Sequence, residues 1–363
     1  MKTILFSITT FLITLGCTFT CQAQISIEEK VKTVLEENNV PSLSIGVINN
    51  GDIVLLKGFG VKSRKDSTEV MGNSIFQIAS QSKMFTAIIV KNLIQEGKLN
   101  LNEPITTYLS NEITEENKNR LKKIKLINLL NHTAGLSREG FSIYRDRVEG
   151  EAWRNNYPRA ELIDDINNIE LETEPGTKFQ YSNSGYAVVG LICENVSGLK
   201  YEELLRKYVT EKYDLKNTVV NLSTPQQKML VTPYKKWERN VETQASIMGM
   251  ATPASAIYSS STDLIKILSK QMSAYRAYKE QGIPSPLILT EHTSQMNESY
   301  QYGFGLIKVT DGNTIKYSHG GDLDGFACEY FFNPTKNNGV VILTSSGGRW
   351  VGELGIEILE GLK

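Results

Sequence analysis

The chain has 363 residues, 40% hydrophobic and 22% charged, with 39 Lys and Arg against 40 Asp and Glu, a net charge of −1. That length supports a large core, as one big domain or two intimate lobes. The near-neutral balance excludes a global attraction to nucleic acid or anionic membrane, and three histidines and four cysteines form no cluster at metal-ligand spacing.

The first residues read as a targeting segment. Lys2, a mainly apolar run from Ile4 to Leu15 and a small-residue site at Cys21-Gln22-Ala23 make residues 1–23 a secretory leader. The protein is therefore expected to be exported, to a periplasm or the medium. Cys17 after Leu15-Gly16 offers lipid anchoring as a lesser alternative, since Thr14 stands where a large aliphatic residue is usual. Removing the leader takes Lys2 and no acid, which shifts the net charge from −1 to −2. No other segment approaches a membrane span. The two remaining cysteines, Cys193 and Cys328, fall in apolar patterns and read as small buried hydrophobes, with a disulfide between them as the alternative.

Ser26 to Asn39 reads as a helix capped by Ser26, with Val31, Val34 and Leu35 as its buried stripe. Leu43–Ile48 and Ile53–Phe59 are strand patterns joined by Asn49-Asn50-Gly51-Asp52, a hairpin signal. From Ser80 to about residue 269 helical patterns dominate. Strand patterns return over Tyr302–Val309, Phe326–Phe332 and Gly339–Thr344, and a helix runs from about Trp350. Strands at both ends of a helical middle predict one antiparallel sheet completed by distant segments, with a helical lobe between them.

Ser80-Gln81-Ser82-Lys83 opens an apolar helix that Gly97 ends. A lysine three residues after a serine lies on the same helix face, within reach of the serine oxygen, and a serine needs such a base to become nucleophilic. Capping of the helix by Ser80 is the structural alternative. Ser197 and Lys200 repeat the spacing, but Ser197-Gly198 reads as a helix end. Tyr181-Ser182-Asn183 follows the turn at Pro175-Gly176. Tyr181 is a candidate acid or base beside a lysine, and Asn183 can hold the lysine and a substrate amide; taken alone, the triplet is a turn. Tyr317-Ser318-His319-Gly320-Gly321-Asp322 reads either as a strand whose glycines admit a substrate backbone or as a tight turn with a surface histidine.

The order Ser80-x-x-Lys83, Tyr181-x-Asn183, His319-x-Gly321 resembles the serine β-lactamase and penicillin-binding DD-peptidase superfamily, in its class C β-lactamase-like branch. Leu129–Leu136, Pro175–Tyr186 and Tyr302–Leu306 extend the likeness over nearly the whole mature chain. The resemblance implies an α/β (α+β) fold for residues 24–363: a five-stranded antiparallel sheet flanked by helices from about 24–79 and 270–363, plus an all-α lobe over about 80–269. It implies an acyl-enzyme on Ser80, with Lys83 and Tyr181 sharing proton transfer in an order left open. Asn183, His319, Gly321 and Asp322 would bind substrate, the N–H groups of Ser80 and Asp322 would hold the oxyanion, and His132 would be structural. It implies no cofactor or metal.

One departure from the pattern bears on substrate. His319 stands where class C enzymes carry a lysine, and Asp322 and Asp324 follow, a poor trap for an anionic drug. The expected substrates are D-amino-acid-containing peptides, as for a DD-peptidase or D-aminopeptidase, or small esters. β-Lactams are the alternative and an inactive binding protein the lesser one. The acidic pair suggests a substrate amine. Glu96-x-x-Leu99-Asn100 imitates a deacylation motif but falls at a helix end. No Gly-x-Ser-x-Gly elbow exists to support a Ser-His-Asp hydrolase.

Overall fold

Strand β1, Ser42–Asn49, is buried at seven of its eight positions, which sets it inside a sheet and not at its rim. The computed structural model describes residues 26–138, 140–145, 152 and 156–362. The expected leader, with Cys17 and Cys21, lies outside them. Asn50 and Gly51, both with positive φ, turn β1 into β2, Asp52–Gly60, as the hairpin signal requires. On its other side β1 pairs antiparallel with a strand almost 300 residues away, in a register that sets Leu43 opposite Thr344 and Ile48 opposite Gly339.

Six further strands complete the sheet: β3 (Ser294–Gln295), β4 (Tyr300–Tyr302), β5 (Ile307–Asp311), β6 (Thr314–Leu323), β7 (Phe326–Asn333) and β8 (Asn338–Thr344). Their order is β2-β1-β8-β7-β6-β5-β4-β3, antiparallel throughout. The sheet therefore has eight strands where five were expected: β1, β2, β7 and β8 stand where strand patterns were read, β6 settles the strand-or-turn alternative at Tyr317–Asp322, and β5, β4 and β3 extend the sheet. The segment expected to be one strand, Tyr302–Val309, is instead a hairpin. Tyr302 faces Ile307 across a turn through Gly303-Phe304-Gly305-Leu306. Gly305, at φ +71°, lets the chain reverse.

The alternation of side chains sorts the sheet into two faces. Leu43, Ile45, Val340 and Ile342 pack with residues 26–37, which form helix α1, and with a C-terminal helix, Arg349–Gly361. Val341 and Leu343 point the other way, into the larger core. There helix Ser261–Gln281 lies against the sheet, and it spans the lobe boundary expected near residue 269. Beyond it stand the elements of the helical lobe. At its centre is α2, Ser82–Gln95, buried nearly all round as its composition dictates, with Glu96 as its C-terminal cap residue. Packed on it is α3, Asn183–Ser197, which Gly198 ends in the left-handed conformation. Cys193 in α3 and Cys328 in β7 are buried free thiols, so the disulfide alternative does not occur. Among the described residues no helix is long and apolar enough to cross a membrane.

The β4–β5 turn presses directly on the start of α2. A Cβ at Gly305 would lie 2.5 Å from the Met84 N and 2.6 Å from the Lys83 carbonyl carbon. Gly305→Ala should therefore cost at least about 2 kcal/mol, the sum of a strained φ and a backbone clash. Urea unfolding monitored by circular dichroism will show it as a lower midpoint at unchanged slope.

Candidate active site

A short ribbon, Phe76–Gln77 paired with Tyr258–Ser259, delivers the chain to Ala79. Ala79 has φ +47°, a left-handed conformation that costs a non-glycine residue about 1–2 kcal/mol. That strained residue projects Ser80 from a single 3-10 turn, Ala79–Gln81, just ahead of α2. Ser80 does not cap the helix, which has no side-chain cap at its N-terminus. Its Oγ instead accepts from Lys83 Nζ at 3.1 Å and from Tyr181 OH at 2.9 Å.

Lys83 is completely buried. Nζ also donates to Asn183 Oδ1 at 2.8 Å and to the Ala254 carbonyl at 2.7 Å. The 252–257 segment that supplies this carbonyl is strapped to α2, where Thr86 Oγ1 donates to the Pro253 carbonyl and Ser82 Oγ accepts from Ile257 N. Burial, with the Arg138 guanidinium nearby, holds the Lys83 amine well below the ordinary lysine range. Nζ thus donates to three acceptors. Were it to lose one proton, the carbonyl oxygens of Asn183 and Ala254, which can only accept, would hold the other two and leave the lone pair facing Ser80.

Tyr181, Ser182 and Asn183 occupy the N-terminus of α3. Ser182 caps it by accepting from Gly185 N, and its own N–H donates to His132 Nδ1 at 3.1 Å. His132 is thus a structural prop, as expected, at φ +58° and with ring contacts to Tyr181 at 4.3 Å and Tyr302 at 4.4 Å. Burial pushes the Tyr181 phenol up to about 12, while its bond to Ser80 and the Arg138 charge pull the other way. The sequence-based expectation is a phenol eased toward ionisation by a lysine cation; burial of Tyr181 outweighs the groups that would ease it, so the phenol keeps its proton.

His319 is neither in a turn nor on the surface; it is buried in the middle of β6. Nδ1 donates to the Gly320 carbonyl at 2.6 Å, which leaves Nε2 to accept from Tyr302 OH at 3.0 Å. Burial lowers its basicity to about 3, so it carries no charge near neutrality. Gly321 marks where β6 crosses the nucleophile's turn. A Cβ there would lie 2.6 Å from the Ile78 carbonyl oxygen and 2.8 Å from Ser80 N. Asp322 follows, and its carboxylate pairs with Lys236 at 2.6 Å. Asp324 is buried, so of the expected acidic pair only Asp322 lines the cleft.

Ser80, Tyr181, His319, Gly321 and Asp322 line one cavity of about 320 Å³, while Lys83 and Asn183 lie directly behind Ser80. Sequence reasoning missed Arg138, Tyr302 and Glu329, which share the cavity walls. The Arg138 guanidinium stands 5.0 Å above the Tyr181 ring. Burial and the Asp322 charge push the Glu329 carboxyl up to about 8. Arg138, next to the Leu129–Leu136 segment, and Tyr302, the first residue of the Tyr302–Leu306 segment, had a signal in the sequence.

A family model described as Beta-lactamase matches residues 27–356. Among curated proteins, Protein flp of Staphylococcus aureus (strain MW2) is 26% identical over 337 residues, covering 92% of this chain but only 66% of the relative. The chain thus spans just under two thirds of that relative's length. A Beta-lactamase of Providencia stuartii is 23% identical over 357 residues, 90% of this chain and 87% of that protein. Among solved structures, the octameric penicillin-binding protein homologue from Pyrococcus abyssi aligns with a TM-score of 0.79 at 25% identity, covering 92% of this chain and 76% of that one. The Beta-Lactamase/D-Alanine Carboxypeptidase from Pseudomonas syringae aligns at 0.80 and 21% identity, covering 94% and 99% of the two chains, a likeness of fold.

If Lys83 is the group that takes the Ser80 proton, the rate of Ser80 labelling by a fluorophosphonate should rise with pH through one ionisation. The plateau should be reached well below the lysine reference value of about 10.4. A rate still climbing at that pH would show a charged Lys83 in the resting site.

Proposed function

The chain belongs to the Beta-lactamase family, and from that membership we propose a serine hydrolase that forms an acyl-enzyme on Ser80. The observation that carries the reading is the double contact of Ser80 Oγ with Lys83 Nζ and Tyr181 OH. As Oγ attacks a carbonyl carbon, its proton passes to the neutral Lys83 amine. The oxyanion that forms is met by the N–H groups of Ser80 and Asp322 on either side of the β6 crossing. When the tetrahedral adduct collapses, Tyr181 gives its phenolic proton to the departing group, and the Lys83 ammonium, 5.0 Å from the Tyr181 ring, returns a proton to the phenolate. Asn183 holds the amine in line throughout. Water then repeats the attack on the ester, with the same groups in reverse.

The neutral, internally bonded His319 supports an ester or a D-amino-acid-containing peptide as substrate, since it offers no cation where class C enzymes hold a lysine. A cell-wall peptide fits this description. The second reading, β-lactam hydrolysis, draws on Arg138, whose guanidinium brings a positive charge to the cavity wall. Export through loss of residues 1–23 remains part of the proposal.

Ser80→Ala should abolish fluorophosphonate labelling and lower kcat by about 10⁴-fold or more. Across p-nitrophenyl esters, D-Ala-D-Ala peptides, D-amino-acid amides and nitrocefin, kcat/KM should be smallest for nitrocefin. Arg138→Ala should depress turnover of anionic substrates about tenfold and spare neutral esters, the loss of one charge-assisted contact. Nitrocefin as the best substrate of the panel, with that selectivity on Arg138, would establish the second reading instead.

A further inference from the structure

A second cavity lies away from Ser80. It measures about 600 Å³ and opens between helix Ser261–Gln281 and the outer part of the sheet, within the range of about 300–1,000 Å³ usual for small-molecule sites. Its floor is aromatic. Tyr275 from the helix and Tyr317 from β6 meet with ring centroids 4.5 Å apart, and Ile288 closes the base. The Tyr275 hydroxyl is turned inward, accepting from Leu289 N at 3.1 Å and bonding Thr290 Oγ1 at 3.0 Å, so its ring and not its polar tip faces the void. At the mouth, Tyr278 and Ile315 stay 40% and 37% exposed, a continuation of the apolar lining into solvent.

The rim has the opposite character. Arg276 and Lys279 lie one turn apart on the helix, and Lys308 reaches in from β5. None of the three forms an ion pair or hydrogen bond among the described residues. Two carboxylates share the lining, Glu291, which is taken by Lys91, and Glu280 beside Lys279. Three cations against one uncommitted acid, above an apolar floor, form a site for an anion with a hydrophobic body. We propose that this cavity binds an amphiphilic carboxylate, one acid group at the Arg276–Lys279–Lys308 rim and an aliphatic or aromatic body on the Tyr275–Tyr317 floor. The proposal is independent of the chemistry at Ser80.

Dodecanoate below its micellar concentration serves as the probe, titrated calorimetrically into the full chain. Saturable binding at one site per chain is expected. The charge reversals Lys308→Glu and Arg276→Glu with Lys279→Glu, all at positions outside the core, should each weaken it about tenfold or more. Dodecylamine should fail to compete, and Ser80→Ala or prior fluorophosphonate labelling should leave binding unchanged. No saturable binding, equal binding by the charge-reversed chains, or competition by dodecylamine would overturn the proposal. Loss of binding on Ser80 labelling would do so too, by placing the probe in the other cavity.

Discussion

An amine without water is the constraint on which the crevice depends. Lys83 sits fully inside the protein, where a charge is expensive, and every contact around it follows from that burial. The Ala254 carbonyl and the Asn183 side chain absorb its protons. To deliver them, the 252–257 segment must be strapped to α2 and the start of α3 held in register by its Ser182 cap and by His132. The strained φ of Ala79 then sets Ser80 against the third bonding position of Nζ. The reactivity proposed for Ser80 is thus a product of packing: the same three side chains in water would form a cation, a phenol and an inert alcohol.

Burial acts on neighbouring groups in opposite directions, and this gives the crevice its division of labour. It makes Lys83 easier to deprotonate and keeps the proton on Tyr181. It strips the charge from His319, which becomes a hydrogen-bonding spacer between Tyr302 and its own strand. In the proposed mechanism, one physical cause thus supplies a base, an acid and a neutral wall within a few ångströms. The aromatic packing of His132, Tyr181 and Tyr302 keeps this corner dry.

Much of the scaffold was legible because its strongest signals are local. The Asn50-Gly51 hairpin, the uniformly apolar α2 and the Gly198 helix end are written in adjacent residues, and β1, β2, β7 and β8 carry runs that only a buried sheet explains. Ser80, Lys83, Tyr181 and Asn183 were readable through spacing and order. What escaped depends on tertiary neighbours. The Tyr302–Val309 run holds enough apolar residues for one strand, yet Gly303 and Gly305 fold it into a hairpin; β3, two residues long, carries no periodicity at all. Asp324 reads as a surface acid and is buried. Lys236 reaches Asp322, 86 residues on.

The pairing of β1 with β8 has a temporal consequence. Leu43 finds its hydrogen-bonded neighbour only when Thr344 exists, and β6, which passes over Ser80, is tied to β8 through β7. A growing polypeptide that has reached residue 300 already contains the nucleophile, its amine and its phenol, but not the strand that closes them in. Until the last long strand emerges, β1 is an apolar edge awaiting a mate, and such non-local pairing makes folding slow. Synthesis of the molecule is thereby separated in time from the assembly of the crevice around Ser80.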